Sequence, residues 1–444
     1  MDNNNPQTKT QNAKLAIVPV IAMFFMFAMI SFVTNMAAPF GNIWKNNYEW
    51  SGMLGNLMNF LAYLIMGIPA GKLMSRIGYK KTALIALAVG FVGMVVQYLS
   101  SLMGADVQTF SVSGQPVMLN FLIYLLGAFV CGFCVCMLNT VVNPMLNLLG
   151  GGGNRGNQLI QTGGTLNSLT GTLTPLLVGA LIGQVTDRTA MGDVAPLLFI
   201  AMGVFAVAFL IICFVAIPEP NRVRPQAGVK DKYSAWSFRH LVLGVIAIFF
   251  YVGTEVGIPA ELNFYLTDVD GKGTGAAIGG AVAAVYWLLM MVGRAGSAAI
   301  SGKVSTRTQL TVVSLIAIVL VVVAIILPSS IRISMPGYSV ADGFKMFQVP
   351  ISALFLVLCG LCTSLMWGGI FNLSVEGLGK YTEQASGIFM MMVVGGGVMP
   401  LIQNALAGSI GYMGSYWLVV AMLAYILFYA LVGSKNVNKD IPTE

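Results

Sequence analysis

Twelve long apolar stretches divide this sequence, and each is long enough to cross a lipid bilayer as a helix. A spanning helix needs about 20 consecutive, predominantly apolar residues. Unpaired backbone groups are too costly in lipid, and no alternating barrel pattern is present, so the crossings are predicted to be helical. The predicted spans cover residues 15–38, 51–72, 82–103, 117–148, 157–185, 195–217, 240–266, 275–302, 309–328, 350–374, 385–410 and 413–434.

Composition supports a membrane protein. Of the 444 residues, 57% are hydrophobic and 9% are charged. Soluble domains carry about 25% charged residues, so this chain cannot cover a water-facing surface. We therefore predict an all-α protein that lies in the lipid bilayer, with about twelve transmembrane helices. The apolar run from Leu15 is too long for the core of a cleavable signal peptide, which spans about 7–15 residues.

The distribution of Lys and Arg predicts how the chain crosses the membrane. With both termini in the cytoplasm, 18 of the 23 basic residues fall on the cytoplasmic side, as the positive-inside rule requires. The net charge of +7 is thus scattered between spans and does not indicate nucleic-acid binding. The predicted divisions are a cytoplasmic N-terminal tail (1–14), a six-helix bundle (15–217), a cytoplasmic linker (218–239), a second six-helix bundle (240–434) and a cytoplasmic C-terminal tail (435–444).

The two predicted halves share a local pattern. Span 2 ends in GKLMSRIGYKKT (Gly71–Thr82) and span 8 ends in GRAGSAAISGKVSTRTQL (Gly293–Leu310). A glycine-rich helix end followed by basic residues therefore recurs at the same place in each half. Two pseudo-symmetric six-helix bundles suit an alternating-access carrier, because similar bundles can rock about a central site.

The end of span 2 resembles the loop signature of the major facilitator superfamily. In that family the loop helps to latch the cytoplasmic side, so the resemblance implies a gating role here. This chain has Ser75 where the signature has an acid, and the latch therefore lacks one charge partner. The predicted gating-loop residues are Gly71, Arg76, Gly78, Lys80 and Lys81.

A narrower resemblance is to the fucose permease and glucose/galactose transporter group. It rests on LNTVVNPMLNLLG (Leu138–Gly150), TLNSLTG (Thr165–Gly171), YVGTEVGI (Tyr251–Ile258) and the stretch Phe371–Pro400, which ends in GGGVMP. The resemblance implies the major facilitator fold and proton-coupled transport of a neutral monosaccharide. It also implies a bacterial inner-membrane location and a functional monomer.

Two residues depart from that group. Asn35 and Asn139 fall where the group has an aspartate and a glutamate, which in the fucose permease are associated with proton coupling and substrate binding. Asparagine can bond a sugar hydroxyl but cannot carry a proton. If transport is coupled to a proton, the proton therefore needs another group in this chain, and sodium coupling stays open as an alternative.

Uncharged amides within the spans are the candidate substrate ligands. Sugars need neutral donors and acceptors together with an aromatic ring, whereas a carboxylate or phosphate would favour an embedded cation. Arg294 is the one candidate cation for such a substrate. The alternative reading of each amide is helix–helix bonding, worth about 1 kcal/mol. The predicted substrate-binding residues are Asn35, Asn139, Asn143, Gln161, Asn372 and Trp367.

Glu255 is the acid placed deepest in a predicted span. No Lys or Arg lies near it in the sequence, so it is expected to be an unpaired carboxyl group. An embedded acid usually has a function or a partner. We predict an ion-coupling role for Glu255, with a protonated acid bonded to a neighbouring helix as the structural alternative. Glu261, on another face of the same span, is expected to lie in an outer vestibule.

Other classes of protein have less support. The chain has one histidine, His240, and no phosphate-binding loop, so neither an enzyme nor a cofactor is predicted. The six cysteines lie within apolar runs and are interpreted as packing residues, without a metal site. A sugar uniporter, a sodium-coupled carrier, an exporter of small molecules such as drugs and a transport-inactive sensor remain the alternative functions.

Overall fold

The described chain is almost entirely helical. The structure, a computed structural model, describes residues 6–48, 51, 54–112, 114–182, 191–219, 232–268, 275–339 and 343–443. Most of the predicted linker, residues 220–231, lies outside this part. The described α-helices are α1 (Pro6–Asn47), α2 (Leu54–Ile77), α3 (Tyr79–Leu102), α4 (Leu119–Leu149), α5 (Gly153–Ile182), α6 (Ala195–Phe214), α7 (Arg239–Asp268), α8 (Gly275–Ile300), α9 (Thr306–Ile326), α10 (Ile351–Thr363), α11 (Met366–Val375), α12 (Thr382–Met391), α13 (Gly395–Ile410) and α14 (Tyr412–Phe428).

These helices make about twelve crossings, as the sequence predicts. Within the described ranges, eleven helical stretches are long and apolar enough to span a membrane. Helices α10 and α11 form one crossing, Ile351–Val375, and α12 and α13 form another, joined by a 3-10 turn at Met392–Val394. The more polar α5, with 30 residues, supplies the twelfth crossing.

Two antiparallel hairpins lie between helices. Strands β1 (Gln108–Val112) and β2 (Gln115–Met118) connect α3 to α4, and β3 (Arg332–Ser339) and β4 (Gly343–Pro350) connect α9 to α10. The sequence analysis predicted no strands in these segments. We call the face with these hairpins the hairpin side and the opposite face, where α6 leads towards the linker, the linker side.

Local chemistry sets several helix ends. Gly78 separates α2 from α3 with φ of 90°, a left-handed conformation that glycine adopts without steric cost. Ser305 caps α9, because its hydroxyl accepts a hydrogen bond of 3.1 Å from the Thr308 backbone N–H.

The two halves pack against each other in a pseudo-symmetric way. Helix α2 of the first half packs against α12 of the second, and α5 packs against α8. The α2–α12 contact is very close: a Cβ atom on Gly67 would lie 2.5 Å from the Met391 backbone nitrogen, and one on Gly387 would lie 2.6 Å from the Gly67 carbonyl oxygen. Small residues allow such backbone approach between membrane helices. Counting crossings, the pairs 2–11 and 8–5 are related by a shift of six, as two repeated bundles require.

Candidate functional site

Two asparagines on α4 lie at the contact between the halves. The Asn139 Nδ2 atom donates a 2.7 Å hydrogen bond to the Tyr63 hydroxyl on α2, and Asn139 is 5% exposed. One turn later, the buried Asn143 Oδ1 atom accepts a 3.1 Å hydrogen bond from the Trp367 indole N–H on α11. The spacing of four residues places both amides on one face of α4, and this face meets the second half.

Gln161 and Asn372 join the halves in the same region. Gln161 on α5 donates a 2.9 Å hydrogen bond from Nε2 to the Leu365 carbonyl oxygen, between α10 and α11. Asn372 donates to the Thr306 hydroxyl at 3.2 Å and accepts from the Asn147 amide of α4. Both candidate amides are 2–3% exposed. The structure therefore gives these predicted ligands protein partners from opposite halves.

Asn35 is separate from that network. Its half-buried side chain donates to the Ser31 carbonyl oxygen at 2.8 Å and to the Ser31 hydroxyl at 3.1 Å, both within α1. A Cβ atom on Gly171 would lie 3.0 Å from the Asn35 amide nitrogen, which places Asn35 against α5. The described structure thus brings Asn139, Asn143 and Trp367 into one network but leaves Asn35 outside it.

Trp367 provides an aromatic surface at this contact. Its ring packs edge to face against Tyr251 on α7, with centroids 6.3 Å apart, and against Phe389 on α12, with centroids 6.2 Å apart. The half-buried indole therefore lies between the α4 amides and the aromatic residues of the second half. Tyr, Trp and amide groups in this arrangement can offer both hydrogen bonds and an apolar face to a ligand.

Glu255 has a cationic partner, and the expectation of an unpaired carboxyl group is wrong. The Arg294 Nη2 atom on α8 lies 3.1 Å from Glu255 Oε1, and the two side chains are 12% and 13% exposed. The expectation rested on the residues next to Glu255 in the sequence, whereas Arg294 reaches Glu255 because α8 packs beside α7. A useful signal was available, since Arg294 is a cation in a predicted span and such residues usually pair with an acid.

Arg294 also contacts two further segments, α5 and the junction of α10 and α11. Its Nη1 atom donates to the Ser168 hydroxyl at 2.7 Å and to the Gly164 carbonyl oxygen at 3.3 Å, both on α5. Its Nε atom donates to the Ser364 carbonyl oxygen at 3.2 Å. One guanidinium group therefore holds Glu255 of the second half and α5 of the first half at the same time. The planar guanidinium group suits such simultaneous contacts.

The hydrogen bonds between the halves given above lie at mid-height of the helices, and further ones lie near the linker side. Those nearest the linker side run from Asn157 to Ser301 at 3.1 Å, from the Thr306 backbone N–H to Asn154 at 3.3 Å, and from Ser386 to the Thr140 carbonyl oxygen at 3.0 Å. The structure is therefore a state in which the linker side is closed by direct polar contacts.

The predicted gating loop meets the start of the linker. The Tyr79 and Lys80 backbone N–H groups donate to the two carboxylate oxygens of Glu219, at 3.0 and 3.2 Å, and Lys80 Nζ donates to the Cys213 carbonyl oxygen at 2.7 Å. Negative charge is favourable at a helix N-terminus. Ser75, which replaces the acid of the family signature, bonds the Gly71 carbonyl oxygen of its own helix at 2.9 Å. Glu219 thus supplies a carboxylate to this loop.

The remaining gating residues differ in exposure. Gly71 is buried, and a Cβ atom there would lie 2.9 Å from the Glu383 carbonyl oxygen of α12. Arg76 and Lys81 are exposed, and Gly78 forms the helix break. Gly71 therefore belongs to the contact between the halves, whereas the two exposed basic side chains lie on the surface of the linker side.

The fold and the polar interface define a multi-pass transporter built from two helical halves around a shared polar contact. Residues 20–399 match the Major Facilitator Superfamily, and the chain belongs to this family. It is 31% identical to the glucose/galactose transporter of Brucella abortus biovar 1 (strain 9-941), covering 98% of each chain. It is 28% identical to the putative glucose/galactose transporter of Helicobacter pylori (strain ATCC 700392 / 26695), covering 96% of this chain and 98% of that one.

The fold is confirmed by a solved structure. A crystal structure of the E. coli fucose:proton symporter superimposes with a TM-score of 0.77 at 18% identity, covering 95% of this chain and all of the other. The predicted fold class and the resemblance to the glucose/galactose transporter group are therefore confirmed. The family consists of membrane transporters, and the chain is accordingly a multi-pass membrane transporter.

Proposed function

We propose that the protein carries a neutral sugar, a monosaccharide, through the bacterial inner membrane by alternating access. The observation that carries this proposal is a network of neutral amides at the contact between the halves, beside the indole ring of Trp367. Asn143 and Gln161 form hydrogen bonds across the halves, and Asn139 lies next to Asn143 and bonds Tyr63 within the first half. Sugar hydroxyls can replace these amide partners one for one, because each amide both donates and accepts. Relatives of nearly equal length that are named glucose/galactose transporters support the same substrate class.

Transport requires the closed linker side to open. The hydrogen bonds that Asn143 and Gln161 make across the halves would then break, and their polar groups would face a water-filled pathway or the sugar. A neutral hydrogen bond contributes about 0.5–1.5 kcal/mol net, so the closed state is stabilised without being locked. We place both termini in the cytoplasm and treat the monomer as the functional unit, with the sugar and a coupling ion as its small-molecule partners.

We also propose that Glu255 couples transport to a proton. The reason is its ion pair with Arg294, and not the absence of a cationic partner that the sequence suggested. Protonation would neutralise the carboxylate that holds Arg294, and Arg294 also binds α5 across the halves. A proton on Glu255 would therefore weaken an ion pair at the same place where the bundles separate. The Glu255→Gln variant should retain sugar exchange and lose accumulation driven by a proton gradient. Retained accumulation would place coupling elsewhere.

The function is tested by uptake into proteoliposomes with a panel of labelled monosaccharides. Imposed proton and sodium gradients, each with a no-gradient control, separate proton symport from sodium symport and from uniport. Failure of every monosaccharide to enter or exchange would overturn the proposal.

Substitutions test the proposed binding residues. Asn143→Ala and Gln161→Ala, which each remove a hydrogen bond between the halves, should each weaken sugar binding several-fold, which corresponds to the loss of one hydrogen bond of about 0.5–1.5 kcal/mol. Asn167→Ala is the matched control, because its amide bonds the Phe27 carbonyl oxygen within the first half. Equal affinity in both test variants and the control would place the substrate site elsewhere.

A further inference from the structure

The hairpin-side half of α7 carries a file of buried polar side chains. Each of these side chains has at least one buried hydroxyl, carboxyl or amide atom without a hydrogen-bond partner among the described residues. Four belong to α7 and one is contributed by α13. We call this set the polar file, and its members are Tyr251, Thr254, Glu261, Tyr265 and Gln403.

Glu261 is the charged member of the polar file, and the structure does not place it in an open vestibule. It is 2% exposed. Its Oε1 atom has no partner, and its Oε2 atom has one long hydrogen bond, 3.5 Å from the amide of the exposed Asn404. Glu261 makes no ion pair within the part of the chain that the structure describes, in contrast to Glu255 with Arg294.

Gln403 on α13 faces α7 one turn before Glu261. Its side chain is fully buried, and neither its Nε2 nor its Oε1 atom has a partner in the described chain. A Cβ atom on Gly257 would lie 2.5 Å from Gln403 Oε1, so this amide rests on the α7 backbone at Gly257. Glu261 is four residues further along and hence one turn above the same surface.

The file runs along α7 from Tyr265 towards Glu255. Residues 254, 261 and 265 share one helix face because they are spaced by seven and four. Tyr251 lies one turn before Glu255, and its hydroxyl adjoins that carboxyl group. The 14 residues from Tyr251 to Tyr265 correspond to about 21 Å of helix.

Unpaired buried groups of this kind call for an explanation. Each unsatisfied polar atom costs about 1–3 kcal/mol, and several in one row are normally bridged by internal water. Hydroxyl, carboxyl and water groups can each donate and accept a hydrogen bond, so a hydrated row can pass a proton along. A buried carboxylate without a cation is unfavourable, which favours proton uptake by Glu261.

Around Glu261, the other titratable groups among the described residues are hydroxyl and thiol groups. Tyr416 on α14 adjoins Glu261 and donates a 2.9 Å hydrogen bond to the Ile258 carbonyl oxygen. Tyr286 on α8 and Cys359 on α10 also lie near the Tyr416 hydroxyl, as does Tyr265. These neighbours provide no cation that would hold Glu261 in its ionised form.

We propose that the polar file is the route along which the coupling proton moves between the hairpin side and Glu255, with Glu261 as its outer proton-binding group. The proposal rests on the proposed function, because it requires a coupling proton. The step is a proton transfer alone: a hydronium ion at the hairpin side protonates the Glu261 carboxylate and leaves water. Glu261 then releases a proton into the hydrated file, each link passes one proton on, and the last link protonates the Glu255 carboxylate, so Glu261 returns to its ionised form.

Two substitutions test the route in proteoliposomes. Glu261→Gln removes the proton-binding group, and Gln403→Leu replaces the bridging amide by an apolar group of similar size. Both should retain sugar counterflow at equal pH, and both should lower the initial rate of accumulation driven by a proton gradient at least tenfold. Glu376→Gln, an exposed acid at the linker-side end of α11, is the matched control and should accumulate sugar normally. Proton-driven accumulation at the unmodified rate in either test variant overturns the route.

Infrared spectroscopy tests Glu261 without transport. The unmodified protein should show a protonated-carboxyl band near neutral pH, and Glu261→Gln should lack this component. An identical band in both proteins overturns the assignment of Glu261. If the unmodified protein performs counterflow but never accumulates sugar on a proton gradient, the route is wrong while sugar transport stands. If it moves no monosaccharide, the proposed function fails, and the infrared result still decides whether Glu261 binds a proton.

Discussion

Replacement of Arg294 by methionine is the most direct test of the interface. The substitution keeps a long side chain in place but removes the guanidinium group. Glu255 then loses its 3.1 Å ion pair, and α5 loses the hydrogen bonds that Ser168 and Gly164 make with Arg294, at 2.7 and 3.3 Å. The variant therefore removes one connection between the halves and leaves a buried carboxylate without a cation.

The loss of unfolding free energy expected for Arg294→Met depends on how deeply the ion pair with Glu255 is buried. Removal of one partner of a buried ion pair costs about 3–5 kcal/mol, mainly because the remaining charge is uncompensated. The side chains of Arg294 and Glu255 are 12% and 13% exposed, so we expect a loss near the lower limit, about 3 kcal/mol. In the double variant Arg294→Met, Glu255→Gln the unpaired charge is gone, and about 2 kcal/mol should be recovered.

The assay is a double-mutant cycle on the free energy of unfolding, measured by denaturant titration in mixed micelles and followed by tryptophan fluorescence. Ser168→Ala is the matched control, since it removes a single hydrogen bond of Arg294 and should cost about 1 kcal/mol. The reasoning would be refuted if Arg294→Met and the double variant unfolded with equal free energies, because no penalty for an uncompensated Glu255 charge would then exist.

Two further predictions concern orientation and helix approach. Phe344→Cys, at an exposed position on the hairpin side, should react with an impermeant thiol reagent in intact cells. Lys303→Cys, at an exposed position on the linker side, should react only after permeabilisation. The opposite pattern would reverse the predicted topology. Gly387→Val should reduce transport at least tenfold, since a Cβ atom there would lie 2.6 Å from the Gly67 carbonyl oxygen and would force α2 and α12 apart. Gly408→Val, in open space on α13, is its control and should transport normally, whereas equal rates for both would argue against close approach of the halves.

Much of the fold could be predicted from sequence because it depends on local hydropathy. Every predicted span overlaps a helix of the structure, since apolar segments in lipid must satisfy their backbone groups internally. Hydropathy predicted neither the interruption of the tenth crossing near Ser364 nor the 3-10 turn at Met392–Val394. Hydropathy does not register such changes of helix geometry, because the residues on either side are equally apolar.

The sequence predicted which residue types form the candidate site, but it did not predict which residues they bond. The α4 motif identified Asn139 and Asn143 as polar groups in a membrane helix, and their spacing placed them on one face. The hydrogen bond from Trp367 to Asn143 joins residues 224 positions apart. No local pattern in the sequence specifies which faces of distant helices meet, so this contact was visible only in the structure.

Glu255 and Glu261 on α7 show most clearly what the sequence determined and what the tertiary structure determined. Sequence alone established that Glu255 and Glu261 lie in a spanning helix and on different faces of it, because hydropathy and helical periodicity are local properties. Tertiary packing alone decided their electrostatic situations: α8 brings Arg294 to Glu255, while α13 brings the neutral Gln403 and Asn404 towards Glu261. The charge state of a buried acid depends on the groups that surround it in space, and these come from helices that are remote in the chain.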